Sequence, residues 1–235
     1  LGTCNRGRND QGDEMKPELV AFDVAGTTLN DDGVVIHAFK VAFEATQPEL
    51  WPTKGHEWTQ YALDTMGQSK IHVFTELLGD AEKAHQANVA FEQAYVMHIA
   101  EVGISPIPGS NETFAFLKSA GIKIALTTGF SRSTLDFLID HVGWRDVIDI
   151  TVTPEEAGRG RPHPDMLNFA ATQLGIGDTR EIIVIGDTAS DIQAGLAFGA
   201  NRVIGVLSGA HTRAVLEFAG ATSVINSVAD LPSLI

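Results

Sequence analysis

Asp23 closes an apolar run, Leu19 to Phe22, and opens the small turn Val24-Ala25-Gly26-Thr27-Thr28. A carboxylate carried by a strand end into a turn with exposed backbone suits a nucleophile or a metal ligand. Gly186-Asp187-Thr188-Ala189-Ser190-Asp191 ends a second run, Ile182 to Ile185, and sets two acids four apart where a helix begins. That spacing suits one Mg²⁺ and its water shell. Thr127-Thr128-Gly129 follows Ile122 to Leu126 and offers a hydroxyl and backbone N–H groups to phosphoryl oxygens. Arg161, in Arg161-Pro162-His163-Pro164-Asp165, adds a fixed cation. A nucleophilic acid, a hydroxyl, a cation and metal-binding acids, all at strand ends, form a site for phosphoryl transfer.

Such groups converge only if the strands that carry them lie side by side. Val147 to Val152 and Arg202 to Val206 complete five short apolar runs, none alternating with polar residues, as in a parallel sheet covered on both faces by helices. Between them lie helical patterns. Asn111 to Ala120 stops at Gly121, Ser133 to Val142 stops at Gly143, and Asp165 to Leu174 stops at Gly175. The alternation predicts an α/β fold with its site at the carboxyl ends of the strands. Residues 34–103 break it with a helical pattern throughout, including a stripe of Ala84, Ala87, Phe91, Ala94 and His98. An inserted helical module is expected there, with Gly33 and Ser105-Pro106-Ile107-Pro108-Gly109 as the points of exit and return, and a core of 16–33 and 104–235.

Composition narrows the partners. The 235 residues are 44% hydrophobic and 20% charged, enough for a sizeable core and incompatible with global disorder. Sixteen Lys and Arg against 30 Asp and Glu give a net charge of −14, which repels nucleic acid and anionic membranes. An anionic substrate therefore needs a local field inverted by a metal, a helix N-terminus or a few cations. Cys4 is the only cysteine, so a disulfide framework is excluded and a reducing cytoplasm fits. No apolar run is long enough to span a membrane, and residues 1–15 read as a polar leader outside the fold.

Plainer readings exist for each residue. Asp187 and Asp191 could merely complement a helix N-terminus, and Arg161 could pair with surface acids. Thr128 could cap the next helix, although Ser131 and Ser133 are better placed to do so. The eight histidines lack the paired spacing of a zinc site, and His98 reads as a packing residue.

The four elements resemble, in order, the four motifs of the haloacid dehalogenase superfamily, over about residues 17–235. The resemblance implies a Rossmann-like core with an all-helical cap, Asp23 as the nucleophile that forms an aspartyl-phosphate, and Thr128 and Gly129 on the phosphoryl group. It places Arg161 where a lysine is usual, and Mg²⁺ on Asp23, the Ala25 carbonyl and Asp187, with Asp191 ligating through water or supporting the shell.

One departure bears on the reaction. Phosphatases of the superfamily carry a general-acid aspartate two residues after the nucleophile, where this chain has Ala25. The Asp-x-Ala-Gly-Thr-Thr version, with Gly26 following and arginine in the third motif, resembles the phosphonatase branch, which cleaves a carbon–phosphorus bond. A carbanion leaves only if its electrons have a sink, so that branch condenses a cap lysine with the substrate aldehyde and expels an enamine. Met66-Gly67-Gln68-Ser69-Lys70-Ile71 resembles the segment that holds this lysine, with Met66 at the substrate and Lys70 as the imine-forming residue. The branch has a histidine three residues later, where this chain has Val73; either His72 or water takes its part, or the substrate differs. The resemblance also implies a homodimer joined through the caps. The rival readings are a phosphatase acting on a small ester and a non-catalytic protein that has kept the fold, whose mark would be loss of Asp23, Asp187 or Asp191.

Overall fold

The computed structural model describes residues 16–235, so residues 1–15, expected to be a leader, and Cys4 with them lie outside the described residues. Six parallel strands form one sheet in the order β3-β2-β1-β4-β5-β6: β1 Leu19–Asp23, β2 Lys123–Thr127, β3 Ile150–Val152, β4 Ile182–Gly186, β5 Arg202–Val206 and β6 Ser223–Ile225. β1 lies between β2 and β4, with Asp23 in register with Thr127 and Phe22 with Ile185. The first, second and fourth motifs therefore emerge side by side at the carboxyl edge of the sheet.

Strand residues alternate between two cores, as a period of two requires. Val20, Phe22, Ile124, Leu126, Ile183 and Ile185 face one side, where α5 (Ser110–Ser119) and α6 (Arg132–Val142) bring Phe114, Leu117, Leu135 and Leu138. Leu19, Ala21, Ala125 and Val184 face the other, against Met166 and Ala170 of α8 (Asp165–Leu174) and Ile192 of α9 (Ala189–Phe198). Burial on both faces explains why these strands read as unbroken apolar runs.

Two strands differ from expectation. β3 keeps only Ile150–Val152, because the N–H groups of Val147 and Ile148 bond back to the Trp144 carbonyl in a turn. β6 was not signalled by the sequence; its three residues form a partly exposed edge strand without an apolar run. Two short helices, α7 (Pro154–Ala157) and α10 (Arg213–Phe218), are likewise additions.

Between β1 and α5 the chain forms four helices: α1 Val34–Thr46, α2 Trp51–Asp64, α3 Lys70–Leu78 and α4 Ala81–Val102. An aromatic cluster of Phe39, Phe43, Trp58, Phe74, Phe91 and Tyr95 holds them together, with ring centroids 4.7 Å apart for Phe43 and Trp58 and 4.8 Å for Phe39 and Phe91. The buried stripe of α4 runs through Ala84, Ala87 and Phe91 to Tyr95 and Ile99, one residue on from the expected Ala94 and His98. His98 is half-buried with its ring 5.2 Å from that of His37. The two crossings between insert and sheet are tied together: the Asn30 N–H donates to Ser105 (2.9 Å), the Ile107 N–H to Thr28 (2.9 Å), and Leu29 bridges Pro106 antiparallel. Among the described residues no helix is long and apolar enough to cross a membrane.

Candidate active site

A cavity of about 360 Å³ lies between the carboxyl edge of the sheet and the helical insert. Its lining brings together Asp23, Ala25 and Gly26 from the first turn, Thr128 and Gly129 from the second, Arg161 from the loop before α8, and Asp187. From the insert come Met66, Gly67 and Lys70. Asp191 lies just beneath, within contact of Arg161. The residues singled out from the sequence thus converge on one place.

The carboxylates are buried and close. Asp23, Asp187 and Asp191 each place an oxygen within 4.8 Å of the others. Arg161, 5% exposed, sets Nη1 2.6 Å from Asp23 Oδ1 and against Asp191 Oδ1. These contacts are near but not aligned, for Arg161 Nε and Nη1 make no hydrogen bond among the described residues. Three acids against one guanidinium leave excess negative charge in a buried place, which burial alone makes costly. Asp187 shows the strain: desolvation, then the charge of Asp23, push its carboxyl up to about 7, against hydrogen bonds from the Ala210 N–H (2.7 Å) and the Thr27 hydroxyl (2.8 Å). An all-oxygen, over-negative cluster fits a hard divalent cation such as Mg²⁺. Asp23, Asp187 and Asp191 could hold it, together with the Ala25 carbonyl, which accepts no hydrogen bond from the described residues.

Asp191 is less free than its sequence position suggests. Its Oδ2 accepts from the Thr188 N–H (3.0 Å) and hydroxyl (2.6 Å), the Thr188–Asp191 capping box of α9, so only Oδ1 faces Arg161. Thr128 Oγ1 accepts from the Phe130 N–H at 3.3 Å, and its own O–H remains to donate. The α6 N-terminus is capped by Ser131, which accepts from the Thr134 N–H at 3.3 Å.

The segment that carries Lys70 is seated on the core by close approach. Gly67 has φ +85°, and a Cβ there would lie 2.3 Å from Thr188 Oγ1; a Cβ on Gly129 would lie 2.4 Å from the Gln68 carbonyl. The Lys70 N–H donates to Gly129 (3.3 Å), and the Ser190 hydroxyl to the Met66 carbonyl (3.1 Å). Lys70 is 6% exposed, with Nζ 5.8 Å from the Phe39 ring centroid and 5.6 Å from that of Phe130. Burial, then the charge of Arg161, lower its amine below the ordinary lysine value, while Asp23 and Asp31 pull the other way.

Some neighbours were not legible beforehand. Val73 is buried in the insert, and His72 is exposed in an adjoining cleft of about 500 Å³ with Thr75 and Arg159, outside the lining of the Lys70 cavity. Thr27, Ser208 and Ala210 buttress the site: Ser208 donates to Gly26 (2.8 Å), and Ala210 and Thr27 hold Asp187. The rule that strand ends carry the site could have found Ser208 to Ala210, which follow β5. Glu92 of α4 crosses to the core, accepting from the Ser131 N–H (3.1 Å) and hydroxyl (3.0 Å) and from the Thr134 hydroxyl.

Comparison with known proteins shows the family. The family of haloacid dehalogenase-like hydrolases matches residues 17–199, and the chain belongs to it. Phosphonoacetaldehyde hydrolase of Hahella chejuensis is 30% identical over an aligned length of 256, covering 93% of this chain and 85% of that protein. The bifunctional riboflavin kinase/FMN phosphatase of Arabidopsis thaliana is 28% identical over 215 residues, 90% of this chain but 54% of that protein, so the chain spans about half its length. Among solved structures, a hydrolase from Pseudomonas syringae superimposes with a TM-score of 0.79 at 26% identity, covering 92% of this chain and 96% of that one. A phosphonoacetaldehyde hydrolase-like protein from Oleispira antarctica also gives 0.79, at 25% identity over 94% and 92%.

Proposed function

We propose that this hydrolase cleaves the carbon–phosphorus bond of phosphonoacetaldehyde or a related 2-oxoalkylphosphonate. The observation that carries the reading is a buried lysine, Lys70, sharing one cavity with Asp23 and Arg161 in a chain whose residue 25 is alanine. An ester phosphatase has use for an acid at position 25, and in it Lys70 would only bind substrate. The names of the Hahella and Oleispira relatives point the same way.

In this reading residues 34–103 are a cap over a core of 16–33 and 104–235. The neutral Lys70 amine condenses with the substrate carbonyl, and the iminium becomes the sink for the electron pair of the breaking bond. Asp23 attacks phosphorus in line, and the electron pair of the carbon–phosphorus bond moves into an enamine. Arg161 offers its uncommitted donors, and Thr128 its O–H, to the phosphoryl oxygens. Gly129 and Gly26 keep the backbone close to the site, and Met66 flanks Lys70 at the substrate. Mg²⁺, held by Asp23, the Ala25 carbonyl and Asp187 and steadied by Asp191, supplies charge neutralisation at the phosphoryl group when bound. Water then hydrolyses the aspartyl-phosphate and the product imine.

We also propose that two copies pair through the insert, where α4 exposes Val89 (41%) and Met97 (72%). The reading is tested by phosphate release from phosphonoacetaldehyde with Mg²⁺. Wild type should release phosphate and Lys70→Ala should not; undiminished release by Lys70→Ala would exclude the imine route. Turnover of small phosphate esters alone would favour the second reading, an ester phosphatase, which the name of the Arabidopsis relative suggests.

A further inference from the structure

Carbonyl chemistry at a lysine needs a proton carrier beside the amine. The carbinolamine loses its hydroxyl only as that oxygen is protonated, and water adds to the product iminium only as it gives up a proton. Neither nearby sequence position supplies one, because Val73 has no proton to give and His72 lines the adjoining cleft. The ionisable side chains that line the Lys70 cavity are Asp23, Asp31, Asp32, Arg161 and Asp187. Arg161 is a guanidinium, a donor with no lone pair to accept a proton. Asp23 touches Arg161, and Asp187 is held by Thr27 and Ala210, so both belong to the phosphoryl end. Asp32 is exposed and accepts from Asn30 Nδ2 at 2.8 Å. Asp31 remains.

We propose that the carboxyl group of Asp31 is the acid and base of the Lys70 carbonyl chemistry; the inference rests on the imine reading above. Asp31 is half-buried and anchored where the chain leaves the sheet for the insert. Its carbonyl accepts from the Val34 N–H (2.8 Å) and its Oδ1 from the Val35 N–H (3.2 Å), and the Gly33 N–H also lies against the carboxylate. These N–H groups fix the side chain at the start of α1, where it lines the Lys70 cavity. Burial raises the carboxyl above the ordinary aspartate value, against the Val35 N–H, the charge of Lys70 and the Gly33 N–H; Asp23 adds to the rise. From α4, Tyr95 also lies within its field, and Lys70 and Asp31 each feel the other's charge.

The protons balance over the cycle. Protonated Asp31 gives its proton to the carbinolamine hydroxyl, which leaves as water, so that the iminium and the Asp31 carboxylate form together. After the carbon–phosphorus bond has broken, the enamine carbon takes a proton from solvent. The Asp31 carboxylate then removes a proton from the water that adds to the product iminium, and collapse of that carbinolamine frees the aldehyde and the Lys70 amine.

The test measures how fast phosphonoacetaldehyde and borohydride convert Lys70 to its reduced adduct, read by intact mass, in wild type, Asp31→Asn and Asp31→Ser. Both replacements keep an oxygen for the Val35 N–H, neither carries an ionisable proton at neutral pH, and thermal unfolding reports whether each is folded. Trapping should slow by about 10²-fold in either variant. Formate, a diffusible carboxylic acid, should recover about tenfold of that loss in Asp31→Ser and leave wild type unchanged. A folded variant that traps at the wild-type rate overturns the role of Asp31 while leaving the imine intact. If neither variant folds, acceleration of wild-type trapping by formate overturns it instead, because an internal acid leaves no work for an external one. A wild type that traps nothing on Lys70 overturns the imine reading and the role of Asp31 with it.

Discussion

Arg161 Nη1 stands 2.6 Å from Asp23 Oδ1, and the same guanidinium helps to lower the Lys70 amine. One cation thus holds the proposed nucleophile for phosphorus and favours the neutral form of the proposed nucleophile for carbon. Removing it should fail in two ways. Arg161→Ala leaves Asp23 and Asp191 buried without their cation and should destabilise the metal-free protein by about 3 kcal/mol. Denaturant titration with and without Mg²⁺ checks this, since a divalent cation should restore part of the loss. Equal stability of variant and wild type without metal would show that the pair carries no such load.

Metal-free stability should fall as pH rises. Asp187 holds its proton up to about 7 in the fold, against 3.8 as a free side chain, so between these values the native state binds a proton that the unfolded chain does not. Its contribution is fully present below 3.8 and is lost as pH rises through about 7. Asp187→Asn, which does not titrate, should flatten this part of the profile, and Mg²⁺ should abolish the difference. Unfolding midpoints from pH 4 to pH 8, with and without chelator, give the comparison.

Lys70 sits where a charge is costly and an apolar side chain is not. Lys70→Met should unfold no more easily than wild type, and Lys70→Ala should lose about 2 kcal/mol or more to a cavity. Both should lose phosphonate cleavage. Paired melting and phosphate-release assays separate the stability effect from the chemical one.

Position 129 tests how the lysine is aimed. The Cβ of Gly129→Ala would lie 2.4 Å from the Gln68 carbonyl and must displace the segment that ends at Lys70. A displacement of about 1 Å should lower kcat by about 10²-fold. Steady-state kinetics would show it, and an unchanged kcat would mean that the seat of this segment does not aim Lys70.

Glu92 joins the insert to the core through three donors at the start of α6. Glu92→Ala should cost about 1–3 kcal/mol, because the Ser131 N–H and the hydroxyls lose a charged acceptor. Hydrogen exchange at Ser131 and Thr134 should quicken in the variant, a local sign that overall unfolding would not give.

The parts legible in the sequence are those where one residue type has one physical use. Leu19 to Phe22 and Ile182 to Ile185 are apolar because both faces of the sheet are covered, and Asp23 and Asp187 stand where those runs stop. Ser223–Ile225 carries no such signal, since an edge strand of three half-exposed residues has little to bury. Val147 and Ile148 mislead for the opposite reason: apolar and β-branched, they pack from a turn. His72 shows the limit at the site itself. Two steps along a helix turn a side chain by about 200°, so His72, close to Lys70 in sequence, lies in a different cleft. Asp31, eight residues after Asp23, reads as a turn acid until the fold brings it to the Lys70 cavity.

The central claim is that Lys70 bonds to the substrate carbon. Phosphonoacetaldehyde with Mg²⁺ and borohydride, followed by intact-mass and peptide analysis, tests it directly, with phosphate release followed in unreduced controls. The account predicts one reduced two-carbon or phosphonoethyl adduct per chain, located on Lys70. Phosphate release without any adduct on Lys70 would contradict it.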